Sequence, residues 1–320
     1  MLGSDIDLAG REWTPIGNGK YAFEGVFIGC DRTIKNISVT KQITYYRSSD
    51  GVDFGYAGLF GYAKNAEFDS IILDGVKIKI EPSLSCDYTQ IGGLVGSLST
   101  TTESAVRDIK VKNMKVETGF SSTYLTVGGA VGYISTNESA IFAAERISAE
   151  LTIKDKANDY TSYLGGVFGY LSNKGSSIVT DFASYATVHW SDTDDGDNFA
   201  GAIGALNNHK GTVKLTNAFS ELKINRKYNI SSSPISRAGA VIGTYYADAN
   251  VKETNIFKNL FGYVASVYNH YSPAMVLYGS YINDDSLTAT NCTGAMSLPE
   301  NSGFKSSVWN LSNLSHPTLK

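Results

Sequence analysis

The residue types that most often carry catalysis are scattered along this chain. The four histidines lack the His-Glu-x-x-His spacing that a zinc peptidase needs on one helix face. No G-x-S-x-G elbow, Walker loop or G-x-G-x-x-G turn opens a helical segment. The three cysteines, Cys30, Cys86 and Cys292, lie far apart and include no C-x-x-C pair. We therefore predict that the protein is not an enzyme and that its thiols are idle.

An acidic turn within Ser191–Asn198 is the strongest candidate for metal binding. Its carboxylates are Asp192, Asp194, Asp195 and Asp197. Closely spaced carboxylate oxygens are ligands that Ca²⁺ prefers, but the segment departs from an EF-hand loop because the twelfth position is Ile203 rather than Glu. Calcium is thus the one cofactor for which the sequence offers a candidate. A solvated acidic turn is the alternative.

Tyrosines are the candidate ligand-binding residues. They lie in variable stretches between the regular parts of a repeat, where an exposed ring offers a platform for a sugar or an anchor for a protein. The candidates are Tyr45, Tyr46, Tyr88, Tyr124, Tyr160 and Tyr163. A second set follows the last glycine of the repeat motif and is expected to pack in register. That set is Tyr62, Tyr133 and Tyr170.

The composition indicates short strands and tight turns. The 320 residues include 32 Gly, 20 Tyr and only 6 Pro, and 42% of them are hydrophobic against 18% charged. This balance supports an ordered core and favours strands over helices. The net charge of −4 and the lack of a Lys/Arg cluster along the sequence argue against nucleic acid as a partner. No apolar run reaches the ~20 residues of a membrane-spanning helix, so we expect no transmembrane segment.

A glycine motif returns at a regular interval and predicts a tandem repeat. Its copies are Gly58–Gly61, Gly93–Gly96, Gly129–Gly132, Gly166–Gly169, Gly201–Gly204 and Gly239–Gly243. An upstream relative at Gly25–Gly29 and a degenerate one at 274–279 extend the series, with successive starts 33 to 38 residues apart. Neither face of this strand is polar, so both faces must be covered. The glycines are therefore predicted to be structural, allowing another backbone to approach closely.

Each repeat also contains a longer strand, which begins after the glycine motif. Apolar residues occupy every second position in 147–153 and 76–80, so one face is expected to be buried and the other wet. Asparagines recur near the start of this strand, at turns expected to tolerate left-handed backbone and to stack as an internal ladder. They are Asn36, Asn113, Asn217, Asn259 and Asn291.

These motifs resemble the GLUG repeat, a family named for its Gly-Leu-hydrophobic-Gly core and found in bacterial surface and adhesin-like proteins, notably of gut Bacteroidetes. Asp5–Gly10, Trp13–Gly17 and Phe23–Phe27 resemble the usual start of such arrays, and Phe304, 308–310 and 317–319 resemble their usual end. The resemblance covers nearly the whole chain. It implies a parallel β-helix-like solenoid that is exported and serves in adhesion or binding.

We predict an all-β protein, a parallel β-helix-like solenoid of about seven to eight repeats of about 36 residues. Residues 1–320 form one array, with 4–40 as an N-terminal capping repeat, 41–273 as the regular repeats and 274–320 as a degenerate C-terminal capping repeat. The number of coils per repeat stays open at this point, because about 36 residues exceed what three short strands require.

The leading functional hypothesis is a non-enzymatic adhesin-like protein, at the cell surface or secreted. It would bind a glycan or a host or matrix protein through the variable segments between repeats. One alternative is a polysaccharide-degrading β-helix enzyme, whose paired carboxylates would come together in a groove from distant rungs. A passive spacer that carries another domain is a further alternative.

Overall fold

The computed structural model is built from β-strands. It describes residues 1–80, 86–119, 122–155, 161–190, 197–225, 236–247, 255–266, 281–282, 287–290, 292–294, 304–313 and 317–320. Within these ranges the chain forms 26 strands and no helix.

In chain order the strands are β1 (Ile6–Asp7), β2 (Val26–Lys35), β3 (Ser38–Val39), β4 (Ile43–Arg47), β5 (Val52–Ala57), β6 (Phe60–Lys64), β7 (Glu67–Asp74), β8 (Lys77–Lys79), β9 (Tyr88–Gly92), β10 (Val95–Thr100), β11 (Glu103–Thr118), β12 (Tyr124–Gly128), β13 (Val131–Thr136), β14 (Ile141–Asp155), β15 (Thr161–Asn173), β16 (Ser176–His189), β17 (Asp197–Asn208), β18 (Thr212–Asn225), β19 (Ser236–Ala238), β20 (Ile242–Ala247), β21 (Asn255–Ser266), β22 (Tyr281–Ile282), β23 (Leu287–Thr290), β24 (Thr293–Gly294), β25 (Trp309–Asn310) and β26 (Thr318–Leu319).

Two sheets of 12 strands each form the solenoid. We call the first the long-strand sheet, with the order β1-β2-β7-β11-β14-β16-β18-β21-β23, and the second the glycine sheet, with the order β22-β20-β17-β15-β12-β9-β5-β4. Neighbouring strands are parallel, apart from the β4–β5 hairpin at the edge of the glycine sheet. Strand neighbours lie one repeat apart, since Ile141 pairs with Ser176 and Ser176 with Thr212. Each repeat is therefore a single coil.

The predicted all-β parallel solenoid is confirmed, with about five turns of about 36 residues. Within the described residues this is fewer than the seven to eight repeats that we expected from the glycine motifs. The Gly25–Gly29 segment is not a copy of the motif in structure, because Val26 pairs with Glu67 in the long-strand sheet. Its place in the first coil is taken by Ile16, which bridges to Phe60. The degenerate copy at 274–279 lies outside the described residues.

The main core lies between the two sheets. The predicted alternation is confirmed in β14, where Ile147, Leu151 and Ile153 are buried while Glu150 is exposed. Burying an aliphatic side chain of this size contributes about 1.5–3 kcal/mol, and the same positions recur in each coil. The stacked coils therefore share one continuous apolar interior.

Each long strand bends at one residue with a left-handed backbone. The strand register places these residues in one column, and their φ angles lie between 53° and 57°. The column is Ser70, Asp108, Arg146, Asp181, Asn217 and Asn259. Asn36 and Asn113 also have positive φ, but they lie in a second column with Gly75. Asn291 lies outside the described residues.

The predicted asparagine ladder therefore lies at the outer bends and not inside the coil. The Asn259 side chain donates to Asn217 at 2.9 Å, and Asn217 donates to Asp181 at 3.1 Å. Asn36 and Asn113 are exposed. The prediction of an internal ladder is wrong, because a residue with left-handed backbone at a bend directs its side chain away from the core. The residues on either side of it fill that core.

A different ladder of amides occupies the interior. Asn173 donates to the Asn208 carbonyl at 2.8 Å, and Asn208 donates to Asn255 at 2.9 Å. Thr136 donates to Asn173 at 2.8 Å. All four side chains are buried. The sequence carries a signal for this ladder, because residues 136, 173 and 208 each lie seven positions after the first glycine of a motif.

The C-terminal residues cover one flank of the solenoid. β25 and β26 pair with each other, outside both main sheets. Trp309 is fully buried, and its indole nitrogen donates to Asp181 at 2.9 Å. The ring packs with Phe304 against Phe219 and Phe261 on the outer face of the long-strand sheet. This end of the chain thus shields apolar residues that would otherwise face water.

Candidate functional site

The glycine sheet bends sharply between the two halves of each strand. The halves approach each other on the outer side of the sheet, so that Tyr163 and Tyr170, before and after one bend, lie 4.8 Å apart. The outward-facing side chains Gln90, Thr126 and Phe199 are buried although they point away from the main core. Both faces of these strands are therefore covered, as their apolar sequence predicts. The outer face of the first half of each strand is covered by the second half of the same strand.

The repeat glycines lie where backbones meet. A Cβ on Gly96 would lie 2.7 Å from the Gly61 carbonyl oxygen, closer than real Cβ atoms approach. A Cβ placed on any of the following eleven would approach another atom to less than 3.0 Å: Gly58, Gly61, Gly93, Gly96, Gly129, Gly132, Gly166, Gly169, Gly201, Gly204 and Gly243. Gly239, the twelfth, lies beside them in the glycine sheet, where its N–H donates to the Ala200 carbonyl.

Three rings from consecutive coils stack along the edge of the glycine sheet. Phe54 lies 5.2 Å from Tyr88, and Tyr88 lies 4.9 Å from Tyr124, with the planes within 17° of parallel. The strand register pairs these residues directly, so the ring separation follows the spacing of about 4.8 Å between strands. We call Phe54, Tyr88 and Tyr124 the aromatic ladder.

The two ends of the aromatic ladder differ. At one end the Arg47 guanidinium lies 4.8 Å from the centre of the Phe54 ring, and it is paired with Asp50 at 2.6 Å. At the other end the next residues in the column are Thr161 and Asp197, which carry no ring. Tyr124 is 36% exposed there. The ladder therefore ends in an accessible ring, with the hydroxyl of Thr161 one coil away and the carboxylate of Asp197 two coils away.

The structure sorts the six candidate tyrosines into different places. Tyr88 and Tyr124 belong to the aromatic ladder. Tyr45 and Tyr46 belong to β4, the hairpin strand that pairs with the strand of Phe54. Tyr46 is 60% exposed. Tyr163 is buried instead, stacked on Phe199 in the outer core at 5.4 Å. Tyr160 lies outside the described residues.

Phe54 is a site residue that the search for tyrosines missed. The spacing along the sequence could have identified it, because Phe54, Tyr88 and Tyr124 follow one another at 34 and 36 residues, about one repeat each. Burial raises the pKa of the Tyr88 hydroxyl, and the neighbouring Tyr124 raises it further. The Tyr88 hydroxyl is thus a neutral hydrogen-bonding group at neutral pH.

Two of the three tyrosines in the second set stack in register as predicted, whereas Ser97 separates the third, Tyr62, from them. Tyr133 and Tyr170 stack at 5.4 Å, and Tyr62 lies 5.3 Å from Tyr56 across the glycine bend. Asn207 donates to the Tyr170 hydroxyl at 3.0 Å. These rings fill the outer face of the bend and are not a free surface.

The candidate calcium site falls mostly outside the described residues, which exclude Asp192, Asp194 and Asp195. Asp197 begins β17, where it pairs with Thr161. Within the described ranges, no group of three or more His, Cys, Asp or Glu side chains converges. Calcium binding at this turn therefore stays a prediction.

The chain matches no protein-family model and no curated protein. The resemblance to the GLUG repeat stays a prediction. Among the residues that the structure describes, no helix is long and apolar enough to cross a membrane.

Proposed function

We propose that this chain is a non-enzymatic, adhesin-like protein that binds a glycan through its aromatic ladder, at the cell surface or after secretion. The observation that carries the proposal is the column of Phe54, Tyr88 and Tyr124, which aligns three rings from consecutive coils at the surface. Binding to such a column loses little conformational entropy, because the strands already hold the rings in place.

A sugar ring would stack on the exposed ring of Tyr124. An aromatic face takes the apolar C–H face of a pyranose, while the sugar's hydroxyls need hydrogen-bonding partners at the rim. Thr161, one coil away in the column, supplies a hydroxyl, and Asp197, two coils away, supplies a carboxylate. Tyr46, on the hairpin strand at the opposite end of the ladder, adds a second exposed ring.

The test is a glycan array followed by titration of the glycans that bind. We expect Tyr88→Ala/Tyr124→Ala to weaken binding roughly tenfold or more, because truncating an aromatic anchor removes both its contact area and its stacking geometry. Tyr21→Ala is the matched control, since Tyr21 is 68% exposed and lies outside the ladder. Equal affinity of the double variant and the unmodified chain would contradict the proposal.

A turnover assay on the bound glycan separates binding from catalysis. We expect the glycan to be recovered intact after prolonged incubation with the protein. Reproducible cleavage would favour the alternative of a polysaccharide-degrading enzyme. Binding to matrix proteins with no binding to any glycan would overturn the choice of ligand.

A further inference from the structure

Four lysines from three consecutive coils converge on the outer face of the long-strand sheet. Lys77 and Lys79 come from β8, Lys115 from β11 and Lys154 from β14. All four are exposed, and they line a groove of about 420 Å³ together with Glu117 and Thr152. We call Lys77, Lys79, Lys115 and Lys154 the lysine groove.

The strand register fixes the geometry of the lysine groove. Lys115 pairs directly with Lys77, so their backbones are about 4.8 Å apart. Glu117 pairs with Lys79 on one side and with Lys154 on the other. Lys79 and Lys154 are therefore two coils apart, about 10 Å along the solenoid axis. The positive charges thus follow the long axis of the molecule.

The lysine groove carries unbalanced positive charge. Its described lining holds four lysines and one acid, Glu117, on a chain whose formal net charge is −4. Within the part of the chain that the structure describes, none of the four ammonium groups lies within ion-pair distance of an acid. Glu12, two coils before Lys77, accepts hydrogen bonds from Thr40 instead. Like charges on directly paired strand positions repel each other, so an anion bound between them would be stabilised.

We propose that the lysine groove binds a linear anionic polysaccharide, one that carries carboxylate or sulfate groups along its length. Each of three successive coils along the axis contributes at least one ammonium group, much as an extended polyanion presents charges along its length, and Thr152 supplies a hydroxyl among them. The described lining contains no aromatic ring and no arginine. Single-stranded nucleic acid is recognised by stacking on aromatic rings, and base edges are read most often by Arg forks, so this groove fits a polysaccharide better.

This inference goes beyond the proposed function, because the lysine groove and the aromatic ladder lie on different sheets. The two sites can therefore fail independently. Tyr88→Ala/Tyr124→Ala should leave binding of an anionic polysaccharide unchanged. Loss of that binding in the ladder variant would contradict a separate site.

The experiment measures binding of the full chain to chondroitin sulfate and to polygalacturonate by calorimetry, with neutral dextran as the uncharged reference. We expect both anionic probes to bind, with affinity falling steeply as salt rises, and dextran not to bind. Lys77→Glu/Lys115→Glu should lower the affinity roughly a hundredfold, because two attractive contacts become repulsive.

Lys214→Glu/Lys258→Glu is the matched control, since both residues are exposed on the same sheet and the change in net charge is equal. We expect it to lower the affinity less than about threefold. Lys77→Gln/Lys115→Gln gives a milder change, and circular dichroism checks the fold of every variant. An equal loss in the control would overturn the proposal, as would the absence of binding to either probe or tighter binding of single-stranded DNA.

Discussion

Buried amides are the residues that hold neighbouring coils together. An Asn side chain offers both donors and an acceptor, so one residue can accept from the coil before and donate to the coil after. Asn208 does this, accepting from Asn173 and donating to Asn255. Its amide also donates to the Gly211 carbonyl at 3.0 Å, which closes the turn at the end of β17. A polar group inside the core is stable here because it is hydrogen-bonded.

Replacing Asn208 by Leu should destabilise the protein by about 2 to 4 kcal/mol. The buried Gly211 carbonyl loses its Asn208 donor, and Asn173 loses an acceptor. The Asn255 side-chain oxygen loses the same donor and keeps its bond from the Val213 N–H. Urea unfolding followed by circular dichroism measures this loss. Asn207→Leu is the matched control, since the neighbouring side chain faces the outer side and donates to Tyr170. Equal losses in the two variants would argue against the ladder as the source of the effect.

The glycine bend is the element that gives this solenoid its second core. A flat strand would leave its outer apolar face in water, whereas the bend brings Tyr163 and Tyr170 together and buries Phe199 beside them. The bend requires glycine because the second half of the strand passes directly over the first. At Gly128, an added Cβ would collide with the Val131 carbonyl oxygen of the same coil.

We expect Gly128→Ala to destabilise the protein by about 3 kcal/mol or more, since backbone cannot move aside as a flexible side chain can. Gly25→Ala is its control. Gly25 immediately precedes β2 and begins the motif-like segment Gly25–Gly29, and a Cβ there would make an ordinary contact of 3.5 Å with the Phe23 ring. Its effect should stay within about 0.5 kcal/mol. Thermal unfolding of both variants measures the difference, and similar midpoints would contradict the role of the bend.

The whole molecule buries many tyrosine hydroxyls on its flanks. Burial raises the pKa of Tyr56, Tyr163 and Tyr170 well above the ordinary value of 10.0, and burial together with Glu221 raises the pKa of Tyr263 to about 12. Between pH 10 and these higher values the unfolded chain loses protons that the folded chain keeps. The free energy of unfolding must therefore fall as pH rises above 10.

Alkaline unfolding should accordingly begin above pH 10, with each of the buried hydroxyls of Tyr56, Tyr163 and Tyr170 removing roughly 1.4 kcal/mol per pH unit. Tyrosinate absorbance and circular dichroism recorded together measure it, and both signals should change at the same pH. Tyr56→Phe keeps the buried ring and removes one ionising group, so its stability should depend less on pH. A stability that stays constant from pH 10 to pH 12 would contradict this account.

Much of the fold could be predicted from the sequence. A regular interval between glycine motifs, and apolar residues at every second position of the long strand, suffice for a parallel solenoid, because stacked coils need equal lengths and one buried face. One motif copy was misassigned, because Gly25–Gly29 repeats the motif's residue types without its place in the coil. The tyrosine candidates were only partly separable, since Tyr88 and Tyr163 occur in similar stretches but one is at the surface and the other is in the outer core.

By itself the sequence determined the strand type, the period and the burial of alternate residues, because these follow from interactions within one repeat. Only the tertiary structure decided which side chains from different coils touch. Lys77, Lys115 and Lys154 are 38 and 39 residues apart and form no cluster along the chain. The register brings their strands side by side, with Lys115 directly paired to Lys77. Loops of unequal length change the spacing in sequence and leave the register intact, so neighbours across coils cannot be counted from the sequence alone.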